Sequence, residues 1–180
     1  YARNDKFDKP NYFDTAAGLP KSALSQHQFG GSLGWPLVRN RVFFFASYET
    51  YRLRAGQNFV EAVPSEAAWA RAVPAVRVLK DGFVSPNAVI LPGASANPDF
   101  DIAQLQGIQD VREHATSVRL DARLNSRWSM YGRVFHDQGR NLQPEGVTGR
   151  QVLLTANPTN AVFGLVGLLS NSVTNEFKVG

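Results

Sequence analysis

Three histidines, His27, His114 and His136, stand in a chain of 180 residues that has no cysteine. No two of them have metal-pair spacing, and none sits at i, i+4 on a helical pattern. Isolated strand or interface histidines are therefore the better reading, and no metal or other cofactor is expected. His136 and Asp137 are neighbours on an extended pattern, so they point to opposite faces and form no relay. Ser170 and Ser172 lie in a turn without the glycine-flanked elbow of a serine nucleophile. Asp99 and Asp101 fall in a Pro/Asn-rich stretch that does not fit a calcium loop. The run Gly30-Gly31-Ser32-Leu33-Gly34 has neither a following helix nor a Lys-Ser/Thr pair, so close strand packing explains its glycines better than phosphate binding. Arg39/Arg41 and Arg52/Arg54 cluster near Phe43–Phe45, but alternation separates the charges and no nucleic-acid motif accompanies them. The sequence offers no catalytic set, and an enzyme is not expected.

Composition narrows the class. Hydrophobic residues make up 43% and charged residues only 19%, and by length this is one ordinary domain or at most a small pair. The absence of cysteine removes disulfide scaffolds, thiolate zinc sites and iron–sulfur clusters together. A net charge of +4 permits an anionic partner without requiring one. No run approaches the roughly 18 consecutive apolar residues of a membrane-spanning helix. Tyr1 is not followed by a signal-peptide pattern, and the last residues read as a strand in mid-course. Both ends are read as cut, so a fragment of a larger protein is expected.

The elements that hold these residues are strands. Over residues 113–124, His114, Thr116, Val118, Leu120, Ala122 and Leu124 alternate with Glu113, Ala115, Ser117, Arg119, Asp121 and Arg123. One side is mainly apolar and the other charged, the period-2 pattern of a two-faced strand. A turn follows at Asn125-Ser126-Arg127. Residues 128–138 then put Trp128, Met130, Gly132 and Val134 on one side, with Ser129, Tyr131, Arg133, Phe135 and Asp137 on the other. Strand, turn and strand predict a hairpin. The unit recurs as 28–37 and 42–54 around Val38-Arg39-Asn40-Arg41, with Val42, Phe44, Ala46 and Tyr48 opposite Phe43, Phe45, Ser47 and Glu49. A third copy turns at Ser170-Asn171-Ser172, and its last strand sets Val173, Phe177 and Val179 against Thr174, Glu176 and Lys178.

Turns within hairpins are short, whereas the connections 55–112 and 139–160 are long. Such loops are rare in soluble domains, but outer-membrane barrels alternate short periplasmic turns with long extracellular loops. One short loop helix is expected over residues 66–72, capped by Ser65 and ended by Pro74. The runs match membrane-crossing strands in length, and Trp35, Tyr48 and Trp128 lie toward strand ends, where aromatic girdles sit. Alternating hairpins also build soluble sandwiches, in which Trp35 and Trp128 would be core anchors. The alternative is thus a soluble or surface-attached β-sandwich binding or adhesion module without transport activity.

Gln28-Phe-Gly-Gly-Ser-Leu-Gly-Trp-Pro-Leu37, followed by Arg41-Val-Phe-Phe-Phe-Ala-Ser-Tyr-Glu49, resembles the early barrel hairpin of Oar-like TonB-dependent outer-membrane receptors, which carry an N-terminal carboxypeptidase-regulatory-like domain. Arg3-Asn-Asp5, Asn11-Tyr-Phe-Asp14, Val63-Pro64-Ser65, Arg119-Leu-Asp121, Tyr131-Gly-Arg133 and Val173-Thr-Asn-Glu-Phe177 follow in the family's order. Trp35 departs from the family's usual glycine, and residues 71–110 match poorly.

The resemblance implies an all-β fold: antiparallel hairpins of a barrel of about 22 strands in the outer membrane of a Gram-negative-type bacterium, plugged by a separate N-terminal domain. Residues 1–180 would supply the end of strand 1 and roughly six further strands, without the plug. The implied function is to bind a scarce substrate outside and import it with energy relayed through TonB. Expected partners are the protein's own plug, the remaining strands, the TonB complex, outer-membrane lipid and an unidentified extracellular substrate, with no nucleic acid. Glu49, Arg119, Asp121, Arg123, Arg133 and Asp137 would face the lumen or plug. Phe44, Tyr48, Val118, Leu120, Leu124 and Trp128 would face lipid.

Overall fold

The computed structural model describes residues 1–180. Its strands are β1 (Ala2–Asn4), β2 (Leu24–Val38), β3 (Val42–Pro64), β4 (Val89–Leu91), β5 (Phe100–Arg123), β6 (Trp128–Glu145), β7 (Arg150–Ala156), β8 (Thr159–Ser170) and β9 (Val173–Val179). All nine belong to one sheet, in the order β1-β2-β3-β5-β6-β8-β9, with β4 added beside β5 and β7 beside β6. β1/β2, β4/β5, β6/β8 and β8/β9 pair antiparallel. A sandwich would press a second sheet onto the apolar side chains; here every strand lies in the same sheet.

Local chemistry sets the turns. Asn40 adopts a left-handed conformation (φ 61°), which asparagine tolerates better than most residues, and the Arg41 amide donates to the Val38 carbonyl at 3.0 Å. At the next hairpin the Asn125 side-chain oxygen accepts from the amides of Arg127 (2.8 Å) and Trp128 (2.9 Å). At the third, the Ser172 amide donates to the Ser170 hydroxyl at 3.3 Å.

The expected strand ends require correction. β3 runs on to Pro64, and β5 already begins at Phe100, so the first long connection is much shorter than 55–112. β6 continues to Glu145, and β7 occupies about half of what then remains of the second connection. Hydrophobic alternation fades in these extensions, and amides take over. Gln57 Nε2 donates to Gln109 Oε1 (2.9 Å), and Gln109 Nε2 donates to Asn141 Oδ1 (3.1 Å). Gln106 Nε2 donates to Asn58 Oδ1 at 3.0 Å. Cross-strand amide pairs hold a ladder where apolar burial does not specify it.

The single expected loop helix is also corrected. Three short helices follow β3: α2 (Glu66–Arg71), α3 (Pro74–Arg77) and α4 (Lys80–Phe83); α1 (Tyr12–Ala16) precedes β2. The Ser65 cap is present, its hydroxyl accepting from the Ala68 amide at 3.3 Å. Pro74 ends the α2 region and then opens α3 as its first residue, where a missing amide proton costs nothing.

The chain divides into two compact units. The first comprises residues 1–27, 52–111 and 141–154. Its core is Val63, Ala103 and Val147, with Phe59, Val84 and Leu105 packed against it. Trp69 meets Phe83 edge-on at 5.6 Å, and ion pairs Arg71–Asp99 and Lys80–Glu66 tie the helices down. The second unit comprises residues 28–51, 112–140 and 155–180. None of the buried hydrophobic residues of the chain lies in it. Its apolar side chains are arrayed on the sheet surface instead: Trp35 is 69% exposed, Leu120 45% and Phe177 59%.

Candidate functional site

The two faces of the second unit are the chemically distinctive feature, and pairing register defines them. Trp128 lies opposite Gly167, Met130 opposite Leu165, Gly132 opposite Phe163 and Val134 opposite Ala161. Leu165 in turn faces Phe177, and Phe163 faces Val179. These residues share one apolar face. Val118 and Leu120 join it, lining with Val134, Phe163 and Val179 a shallow depression of about 400 Å³. Tyr48 belongs to the same side, because its hydroxyl lies 2.7 Å from His114 Nδ1 and its ring stacks on the imidazole at 6.1 Å. Alternation along β3 puts Phe44 with Tyr48. Leu124 falls one residue beyond β5, its amide bonded to the Trp128 carbonyl at 2.9 Å.

The opposite face carries an ionic network. Arg119 donates to Asp121 twice, from Nε to Oδ2 and from Nη2 to Oδ1, both at 2.7 Å. This two-pronged geometry is the strong form of a carboxylate–guanidinium pair. The guanidinium also lies over the Tyr131 ring, 4.6 Å from its centre, and the Tyr131 hydroxyl donates to Glu176 Oε1 at 3.1 Å. Glu49 accepts from Gln28 Nε2 at 2.5 Å. Glu113 and Asp137 meet through their carboxyl groups, with Glu49 near enough to act on Glu113 electrostatically. Asp137 Oδ1 is buried and has no hydrogen-bond partner. Arg133 stands on the Tyr131 side of β6, opposite Val162, and Arg123 follows Arg119 and Asp121 on β5.

Charge is not the whole of this face. Phe43 and Phe45 alternate with Phe44 and Tyr48, so they lie on the charged side, 44% and 41% exposed. A Cβ added at Gly34 would stand 3.7 Å from the Phe45 ring.

The structure therefore brings Arg119 and Asp121 into direct contact and sets Glu113 between Glu49 and Asp137. Tyr131 and Glu176 join the network although sequence reasoning gave neither a role. The signal was present as Gly164: a Cβ there would collide with the Tyr131 ring, so glycine opposite an aromatic marks where that ring lies flat. Gly167 makes the same allowance for Trp128 on the apolar face.

The histidines are hydrogen-bonded to hydroxyls: His27 to Ser25 (3.2 Å), His114 to Tyr48 and His136 to Thr159 (2.8 Å). Asp99 pairs with Arg71, whereas Asp101, expected in a loop, lies in β5, where its carboxylate accepts from the Gly93 amide at 3.0 Å. A Cβ at Gly30 would meet the backbone of Tyr48 and Glu49, the close packing expected of that glycine run.

A family model described as "Outer membrane beta barrel domain" matches residues 1–180. No curated protein and no solved structure matches the chain. The chain belongs to the outer membrane β-barrel domain family, and its location is the outer membrane.

Proposed function

We propose that the chain is part of the wall of an Oar-like TonB-dependent receptor, which binds a scarce substrate outside and imports it with energy relayed from the inner membrane. The apolar face, with Phe44, Tyr48, Val118, Leu120, Leu124 and Trp128, turns to lipid. The other, with Glu49, Arg119, Asp121, Arg123, Arg133 and Asp137, turns to the lumen. The observation that carries the plugged form is the mixed character of that second face. Exposed Phe43 and Phe45 beside a charged network would be poorly served by a water-filled channel. A folded plug covers aromatic rings and answers charges together. The motif block from Gln28 to Glu49 is the support for the TonB-dependent branch in particular.

The test uses the full-length protein, plug and remaining strands included, purified from outer membranes. Co-purification with the periplasmic C-terminal domain of TonB is measured with and without a peptide competing for the TonB-contacting segment. Competable association is expected. A correctly inserted protein that never associates with TonB would be a passive barrel, and the transport reading would fall.

A further inference from the structure

A polar cleft lies on the apolar side of the second unit, beyond the end of its apolar band. It encloses about 310 Å³ and is lined by Arg112, His114, Gln138, Arg140, Thr155 and Asn157. The strands fix its side. Arg112 and His114 alternate in phase with Val118 and Leu120 on β5, and Gln138 and Arg140 in phase with Gly132 and Val134 on β6. The pairing of His136 with Thr159, two residues along from Val134 with Ala161, carries that phase across to β8. At about 3.3 Å per residue, His114 lies roughly 13 Å along the strand from Val118. A basic cleft and an apolar depression thus succeed one another on one surface.

We infer that this surface binds a phosphorylated membrane lipid, its phosphate in the cleft and an acyl chain in the depression. Charge complementarity argues for the phosphate. Arg140 and His114 line the cleft together with Arg112, Gln138, Thr155 and Asn157, and it has no carboxylate in its lining. Arg112 already has an interaction partner, so the basic character of the cleft rests on Arg140 and His114. Arginine pairs with phosphate through parallel N–H donors. His114 contributes as well. When the Tyr48 hydroxyl donates to Nδ1, the ring proton sits on Nε2 and is available to an anion.

The acyl chain follows from the depression itself. Val118, Leu120, Val134 and Phe163 form its walls, and the space above Gly132 is open, with no atom within 4 Å of a Cβ built there. Tyr48 stacks at the junction of cleft and band, the level at which amphipathic rings sit in barrels. A free phosphate would use only the upper half of this arrangement, and an uncharged lipid only the lower. The inference rests on the outward assignment of the Val118 face.

The experiment uses the full-length protein, remaining strands included, extracted from outer membranes, with insertion of each variant checked by its heat-modifiable gel mobility. Retention of dioctanoyl phosphatidic acid, dioctanoylglycerol and inorganic phosphate is then counted by native mass spectrometry. Wild type should retain phosphatidic acid over both other probes. The double variant His114→Gln/Arg140→Gln should retain it about tenfold less, and Gly132→Leu, which fills the depression, should lose it comparably, while Arg39→Gln matches wild type. Equal retention by the double variant overturns the headgroup site. Equal binding of inorganic phosphate or of dioctanoylglycerol overturns the lipid assignment. Wild type that is inserted but retains no phosphatidic acid sinks the site alone, whereas wild type missing from the outer membrane sinks the barrel reading beneath it.

Discussion

Leu120→Arg is the sharpest test of which face meets lipid. Along β5, His114 to Leu124 spans about 33 Å at 3.3 Å per residue. Tilted by about 40°, that stretch rises about 25 Å, the height of the apolar band of an outer-membrane barrel. Leu120 then lies about 10 Å above Leu124, close to the middle. Arginine at the midplane of the lipid face costs roughly 2–4 kcal/mol. At about 1.4 kcal/mol per factor of ten, this is a loss of roughly thirty- to several-hundred-fold in the folded fraction under marginal conditions. The same change on a leucine 45% exposed to water should fall within about 0.5 kcal/mol of neutral. The assay is the urea midpoint of the full-length protein folded into lipid vesicles, together with its outer-membrane level in cells. Ser117→Arg, on the charged side of the same strand, is the control and should stay near wild type. Equal behaviour of the two variants, or a neutral Leu120→Arg, refutes the assignment of faces.

Gly167→Ala should destabilise the barrel by about 1–3 kcal/mol, because its methyl group collides with the Trp128 ring. Adding Trp128→Ala should recover much of that loss, so the double-mutant cycle read from urea midpoints should show strong coupling; additive effects would mean that the ring does not lie on the glycine. Ser65→Ala removes the hydroxyl that caps α2 and donates to the Pro98 carbonyl at 3.0 Å, at a cost of about 0.5–2 kcal/mol confined to that loop. Limited proteolysis between α2 and α3 should accelerate while the global urea midpoint stays unchanged.

What could be read from the sequence was what neighbours along the chain decide. Turns at Asn40 and Asn125, the Ser65 cap and the two-faced strand around Arg119 are written within a few residues. The long extensions of β3, β5 and β6 were not, because Gln57, Gln106, Gln109 and Asn141 carry no hydrophobic alternation and find their partners across strands. The same limit hid the ionic network. Arg119 and Asp121 announce themselves at i, i+2, but Tyr131 and Glu176 join them only through pairings fixed between distant segments. The paired carboxyls of Glu113 and Asp137 required the register of β5 against β6. Pro74 misled in a different way, since a helix terminator in sequence is also a helix opener.

The second unit also explains why one sheet needs two surroundings. A soluble sheet stabilises itself by drying one face against a core, yet every buried hydrophobic residue of this chain lies in the first unit. Apolar side chains from Leu33 on β2 to Phe177 on β9 would each gain about 1.5–3 kcal/mol from full burial, which is why the proposed reading turns that face to hydrocarbon. Hydrocarbon cannot serve the other side. Moving Arg119 and Asp121 there would desolvate both ions, a loss that even a two-pronged pair offsets only in part. Lipid also forbids unpaired strand edges, because each unbonded backbone group costs several kcal/mol. β1 and β9, at the two ends of the strand order, must therefore be paired by further strands wherever this face meets the bilayer. One face in lipid, one screened from it and no free edge is the condition that barrel closure satisfies.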